Sequence, residues 1–293
     1  MDLATILSFL TDVLRDTTPI LLVALGITVM QLSGILNIGA EGMMLLGSFA
    51  GIVGAYFSGN RWVGVLTGAA AVGVFGIIFA YLIVHLKGNQ VVIGVALNIL
   101  AEGLTTTLSR QVFGQGSQST VEGFKPGLFG LSELTYLALA LVVILTVLLY
   151  KTNFGLRVRA TGEYPRAVDV AGLNVYRIQY LAVIIGAMII GIGGTAHSTA
   201  SLNSFSEAMT TGRGYIALAA VTLGQFKPIG VLVASLIFGL GNSLQIKLQA
   251  ASIAFPTQFI RMIPYVLTVV AVVISSRNAH GPSALGKTYT KLK

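Results

Sequence analysis

Nine apolar runs punctuate the chain, most of them near the roughly 20 residues that a helix needs to cross a bilayer. They are Pro19–Leu36, Gly42–Gly59, Trp62–Leu86, Val91–Leu108, Leu131–Tyr150, Gln179–Ala200, Tyr215–Gly224, Ile229–Ile246 and Gln258–Ser276. Eight are long enough to cross. The short run, Tyr215–Gly224, predicts a half-length or tilted helix packed inside the protein. The expected fold is all-α: a polytopic transmembrane helical protein of about nine helices, forming one domain over residues 1–293. Residues 1–18 precede the first run and hold Asp2, Asp12, Arg15 and Asp16. They read as a short amphipathic helix lying at the interface, not as a cleaved signal.

Composition closes off the soluble alternatives. Charged residues make up 10% of the chain and hydrophobic ones 55%, whereas a soluble domain carries about 25% charged residues. The mean hydropathy is +0.85, so the lipid bilayer is the expected solvent and the expected location is the cell membrane. The 35 glycines suit helices whose backbones approach closely. With no cysteine, disulfides, thiolate metal sites and thiol nucleophiles are excluded. The net charge of +8 sits in loops that face lipid headgroups, so nucleic acid is not the expected partner.

Basic residues set the orientation. Lys151, Arg157, Arg159, Arg166 and Arg177 fall in the loop 151–178, and Arg277, Lys287, Lys291 and Lys293 in the tail 277–293. Both segments are expected on the cytoplasmic side. An even number of crossings must separate them, so the short run has to traverse as well. Counting backwards puts Gln111–Gly130 and the N-terminus outside. The segments Gly39–Gly51 (GAEGMMLLGSFAG) and Gly212–Gly224 (GRGYIALAAVTLG) are candidate inverted repeats, expected to start from opposite membrane sides.

Two chemical readings fail. Gly281–Thr288, GPSALGKT, matches the phosphate-loop pattern, but such a loop must open a helix whose amides hold phosphate. Only five residues follow Thr288, and no Asp or Glu lies beyond Glu207 to help hold magnesium. The three histidines, His85, His197 and His280, have no ligand-like spacing with carboxylates, so no metal, cofactor or catalytic residue is expected.

The most informative stretch is Thr152–Tyr180, TNFGLRVRATGEYPRAVDVAGLNVYRIQY. Pro165 begins a short helix through Ala171 and Gly172 stops it. Ala167, Val168 and Ala171 give that helix a small apolar face, suited to docking in a groove of a soluble partner. The run FGxxxRAxGExPxAxxxAG[IL]NV resembles the coupling-helix region of ABC importer permeases of the ribose, nucleoside and branched-chain amino acid group. Gly34–Gly47 (GILNIGAEGMMLLG) and Gly212–Gly230 (GRGYIALAAVTLGQFKPIG) resemble early and late signatures of that group's nucleoside and simple-sugar branch, and AHGPSALGK resembles its usual ending. The resemblance covers nearly the whole chain. It implies a type II importer-like permease for a nucleoside, or else a simple sugar. It also implies three partners: an ABC ATPase subunit that hydrolyses the ATP, a second permease subunit (identical or paralogous), and an extracytoplasmic substrate-binding protein.

The residues expected to couple to the ATPase are Gly162, Glu163, Tyr164, Pro165, Arg166, Ala167, Val168, Asp169, Ala171 and Gly172. Arg166 and Asp169 are expected to face the ATPase groove, and Glu163 either to join them or to cap the docking helix. For the translocation path the candidates are Gln31, Asn37, Asn98, Glu102, Asn242 and Gln245, each of which could equally make an interhelical hydrogen bond. Glu102 and Asn98 share a helix face at i, i+4; Glu102 either meets a passing solute or reaches the outer interface. Glu41 is expected to close a turn at the cytoplasmic side. The rival reading is an ion-coupled secondary transporter or channel, for which Glu102 is the only suitable mid-membrane carboxylate and in which the basic loop has no purpose.

Overall fold

The computed structural model describes residues 3–114, 121–124, 127, 130–250, 257–276 and 281–291. Among them the chain is helical without strands: α1 (Leu3–Leu32), α2 (Ala40–Ser58), α3 (Arg61–Ala80), α4 (Gln90–Phe113), α5 (Glu133–Lys151), α6 (Asn153–Glu163), α7 (Pro165–Val170), α8 (Val175–Ala196), α9 (Arg213–Leu223), α10 (Pro228–Ala250) and α11 (Thr257–Ser276). Apart from α6 and α7, which form the basic loop, these helices match the nine expected runs. Seven are long and apolar enough to cross a membrane; α9 and the apolar part of α11 are shorter. Single π-helical turns extend α3 through His85 and α8 through Leu202.

The N-terminal expectation needs correcting. Residues 3–32 form one helix that runs through Pro19, with no separate interfacial segment. The hydroxyls of Thr17 and Thr18 donate to the carbonyls of Val13 and Leu14, and Ser243 of α10 donates to Asp16 at 2.6 Å. Of the charges that suggested a surface helix, Asp16 and Asp12 meet Ser243 and Lys247 of α10, and Asp2 lies outside the described residues.

Helices α1, α2, α3 and α8 make the core. Lipid tails are as apolar as leucine, so packing and hydrogen bonds hold transmembrane helices together, and small residues let the backbones close up. A Cβ on Gly47 of α2 would stand 2.7 Å from the Gly191 carbonyl oxygen of α8, and one on Gly191 would meet the Gly68 carbonyl of α3. Ser48 donates to the Gly194 carbonyl at 2.8 Å, and Thr195 to that of Gly47 at 3.1 Å.

Two irregular stretches enter this bundle. Residues 33–39 leave α1 without helical structure, and residues 203–212 lead into α9. Near the basic end, the Gly34 carbonyl accepts from Gly286 of the tail. At the far end, Val121 and Phe124 donate to the carbonyls of Asn203 and Thr199. Phe226, just past α9, lies under Gly281 of the tail, back at the basic end. The segment from 203 to 226 therefore traverses the bundle, as the even count of crossings requires.

The expected start of the two repeats is also corrected. Helices α2 and α9 begin side by side, because Glu41 bonds the amides of Gly212 and Gly214. From there they diverge, α2 toward Phe113 and Phe205 at the far end and α9 toward the tail. Inverted repetition is consistent with that divergence. Of the basic tail, Arg277 and Lys293 lie outside the described residues, as does His280.

Gly191→Val is expected to wedge α8 away from α2 and α3 and to cost about 1–3 kcal/mol. Size-exclusion chromatography of detergent-solubilised protein after a heat step should show a lower midpoint than for the native chain.

Candidate coupling site

The basic loop folds as two short helices, α6 and α7. Thr152 caps α6 by accepting from the Gly155 amide at 3.2 Å, and Arg159 returns to the Leu149 carbonyl while covering the Tyr150 ring. Pro165 opens α7 at its first turn, where a missing N–H costs nothing. Ala171 caps it and Gly172 leaves at φ +79°, as the sequence predicts.

Helix α7 has two faces. Val168 is buried against the core, while Val170 is 90% exposed and Tyr164 61% exposed. Ala167, Ala171, Gly172 and Arg166 are exposed too. Leu156, Ala160, Tyr164, Ala167, Val168 and Leu173 line an open groove of about 500 Å³ between α6 and α7. An exposed apolar groove and a valine standing in solvent are features of a surface awaiting a partner.

The carboxylates of this region turn to the tail. Ser283 donates to Glu163 through both its amide and its hydroxyl, at 3.2 and 2.8 Å. Glu163 therefore holds the tail and does not cap α7. Tyr289 donates to Asp169 at 2.8 Å and Lys291 pairs with the other oxygen at 3.5 Å; Arg166 alone of the two expected groove residues remains outward. The Tyr289 ring also packs on Tyr176. Burial, together with the bond to Asp169, pushes the Tyr289 phenol up to about 12. The tail's amides are already committed: Ala284 to the Gly162 carbonyl, Gly286 to that of Gly34, and Leu285 and Lys287 within the turn. No helix follows Lys287 in the described residues, so GPSALGKT is a strap across the loop and not a phosphate cradle.

The residues proposed for a solute path lie in three places. Gln31 and Asn37 are buried in and beside the irregular stretch, and the Asn37 amide rests on the sulfurs of Met30 and Met43. Asn98 is spent on backbone: it accepts from Gly42, donates to the Ile38 carbonyl, and also donates to the Tyr215 hydroxyl. Glu102, one turn on, is exposed, as is Tyr215. Asn242 bonds Asp16, and Gln245 is half-buried one turn beyond it.

Sequence reasoning missed the polar centre of the bundle. Glu41 accepts from Gly212 at 2.8 Å and Gly214 at 2.7 Å, so it caps α9 across 171 positions of chain. Helix α9 has 11 residues, which at 1.5 Å each puts Glu41 about 16 Å in from the basic end, not in a turn at the surface. Arg213 reaches the His197 ring, 3.0 Å from Nδ1, and lies in the fields of Asp16 and Glu41. An acid and an arginine at the starts of two apolar runs were the available signal.

With this geometry in place, comparison with known proteins is decisive. The pattern of the family described as "Branched-chain amino acid transport system / permease component" matches residues 9–272. The chain belongs to that family. The permease is 34% identical to the guanosine ABC transporter permease protein NupQ of Bacillus subtilis, over the full length of both chains. It is 31% identical to the nucleoside ABC transporter permease protein NupC of Lactococcus lactis, over 96% of each. Among solved structures it resembles the one described as "An inward-facing conformation of a putative metal-chelate type ABC transporter", with TM-score 0.57 and 16% identity, covering 90% of this chain and 85% of the other. That likeness concerns the fold. The permease is a multi-pass protein of the cell membrane.

Glu41→Ala leaves two amides without an acceptor and is expected to destabilise the permease by about 1–3 kcal/mol; Glu41→Gln, which keeps one acceptor, should fall between it and the native chain in the same heat-step assay. The raised Tyr289 pKa means that the neutral, donating phenol is favoured in the folded state. The contribution of the Tyr289–Asp169 bond is thus complete below the ordinary tyrosine value of about 10 and is lost as pH rises through about 12. Subtracting the ultraviolet titration of Tyr289→Phe from that of the native chain should reveal one phenol ionising near that value.

Proposed function

We propose that this permease is the membrane-spanning subunit of an ATP-driven importer, forming the path of a nucleoside that an extracytoplasmic binding protein delivers. ATP is hydrolysed on a separate ABC ATPase subunit, and a second permease, identical or paralogous, completes the pore. The observation that carries this reading is the apolar groove between α6 and α7 with Val170 exposed beside it. Transport needs no partner at such a surface unless the energy arrives there from another chain. Closure of the ATPase pair would push on α7 and rock the helices between outward- and inward-facing states.

The nucleoside assignment rests on relatives whose names specify guanosine and nucleosides at 34% and 31% identity. A permease that must release its cargo needs no tight internal site. The exposed Glu102 and Tyr215 on neighbouring α4 and α9 supply hydrogen-bonding groups where a paired subunit would enclose them. Gln31, Asn37, Asn242 and Gln245 then serve to hold the irregular stretch and the N-terminal helix in place.

Tagged native chain, extracted in mild detergent from its own host, is expected to bring an ABC ATPase with it. Ala167→Arg with Ala171→Arg should abolish that recovery while leaving the chain monodisperse. Cells carrying the native system should accumulate labelled guanosine in competition with other nucleosides but not with ribose; recovery of no ATPase, or uptake that a proton uncoupler stops while ATP is held constant, would point to ion coupling instead.

A further inference from the structure

We propose that the strap Gly281–Lys291 is the joint through which the docking helix moves the membrane core. The proposal rests on the importer reading above and names a part that the docking surface itself does not contain. Three backbones meet beneath α7. Gly162, at the end of α6, sits directly on the chain at Leu32–Gly34, so close that a Cβ there would strike the Leu32 carbonyl. Gly34 adopts φ +90° and Gly286 φ +76°, backbone shapes that glycine takes without strain. Across this junction Ala284 donates to the Gly162 carbonyl at 2.8 Å and Gly286 to the Gly34 carbonyl at 3.0 Å. One turn of the strap thus holds the docking loop with one amide and the first residues of the irregular stretch with the next but one.

Side chains then fix the strap to the end of α6 and to α7. Glu163 takes Ser283, and Asp169 takes Tyr289 and Lys291. The outward face of α7, Ala167, Val170 and Ala171, is left free of it. At the other side of the joint, displacement has a short route inward. The stretch beyond Gly34 is gripped by Gln90 and Asn98 of α4, through Leu36, Ile38 and Gly42, and ends at Glu41, which holds the start of α9. Where Gly162 meets Leu32–Gly34 no side chain intervenes to absorb a push, so the end of α6 that leads into α7 and the 33–41 segment move together. Packed backbones of this kind switch between arrangements instead of deforming.

The test uses full-length variants in the assembled transporter. Ser283→Ala with Tyr289→Phe removes two hydroxyls and leaves the backbone intact; Ala284→Pro removes the amide that holds Gly162. Both are expected to retain the ATPase on copurification. Uptake of labelled nucleoside should fall by about two- to thirtyfold, the range over which residues on a coupling route act. ATP hydrolysis should continue but no longer accelerate when loaded binding protein is added, a signature that mere loss of stability would not produce. Native uptake and native acceleration in the double variant would overturn the proposal. Loss of the ATPase from the double variant would overturn it too, by making the strap part of the docking surface. Absence of ATPase from the native chain would instead remove the importer reading on which it rests.

Discussion

Inside hydrocarbon there is no water to bond an exposed amide or carbonyl, and each one left bare costs several kcal/mol. This permease nevertheless carries two non-helical stretches through its bundle, and the rest of its architecture answers that constraint. Gln90 and Asn98 satisfy backbone groups of the 33–42 segment. Glu41 satisfies the first amides of α9. The glycines of α2, α3 and α8 let the surrounding helices close tightly enough to exclude lipid from the irregular backbone.

From that arrangement follows a division of labour. The core of α1, α2, α3 and α8 is apolar and close-packed, whereas α4 and α9 present exposed polar side chains and α6 and α7 an exposed apolar surface. The groups that hold the irregular segments, Glu41, Gln90 and Asn98, are buried or half-buried, whereas Glu102 and Tyr215 are exposed. Asn98 shows the boundary, since it is spent on the fold while Glu102, one turn away on the same helix, is free at the surface.

What was legible in the sequence was local. The apolar runs, the Pro165 start and the Gly172 stop of α7, and the basic loop on one side all depend on neighbours within a turn or two. What was not legible depends on partners far along the chain: Ser243 lies 227 positions from Asp16, Gly212 lies 171 from Glu41, and Tyr289 lies 120 from Asp169. Asp16 read as a surface residue because its partner on α10 could not be seen, and α1 was accordingly cut at Pro19. Asp169 was expected to face the ATPase groove, and Glu163 either to join it or to cap α7, for the same reason: the strap's hydroxyls were unaccounted for. The opposed course of α2 and α9 was glimpsed in two glycine-opened runs, yet their common starting point required Glu41.

The strap has one further consequence, which concerns time. Its residues follow the described helices in the order of synthesis, so Gly34 and Gly162 emerge from the ribosome long before Ala284 and Gly286 can tie them together. Throughout insertion the docking loop is present but unfastened. A permease whose last helix fails to insert would leave the strap on the wrong side of the bilayer, and its docking helix would never be tied to the core. On the proposal above, the joint can be fastened only after the helices that precede the strap are in place.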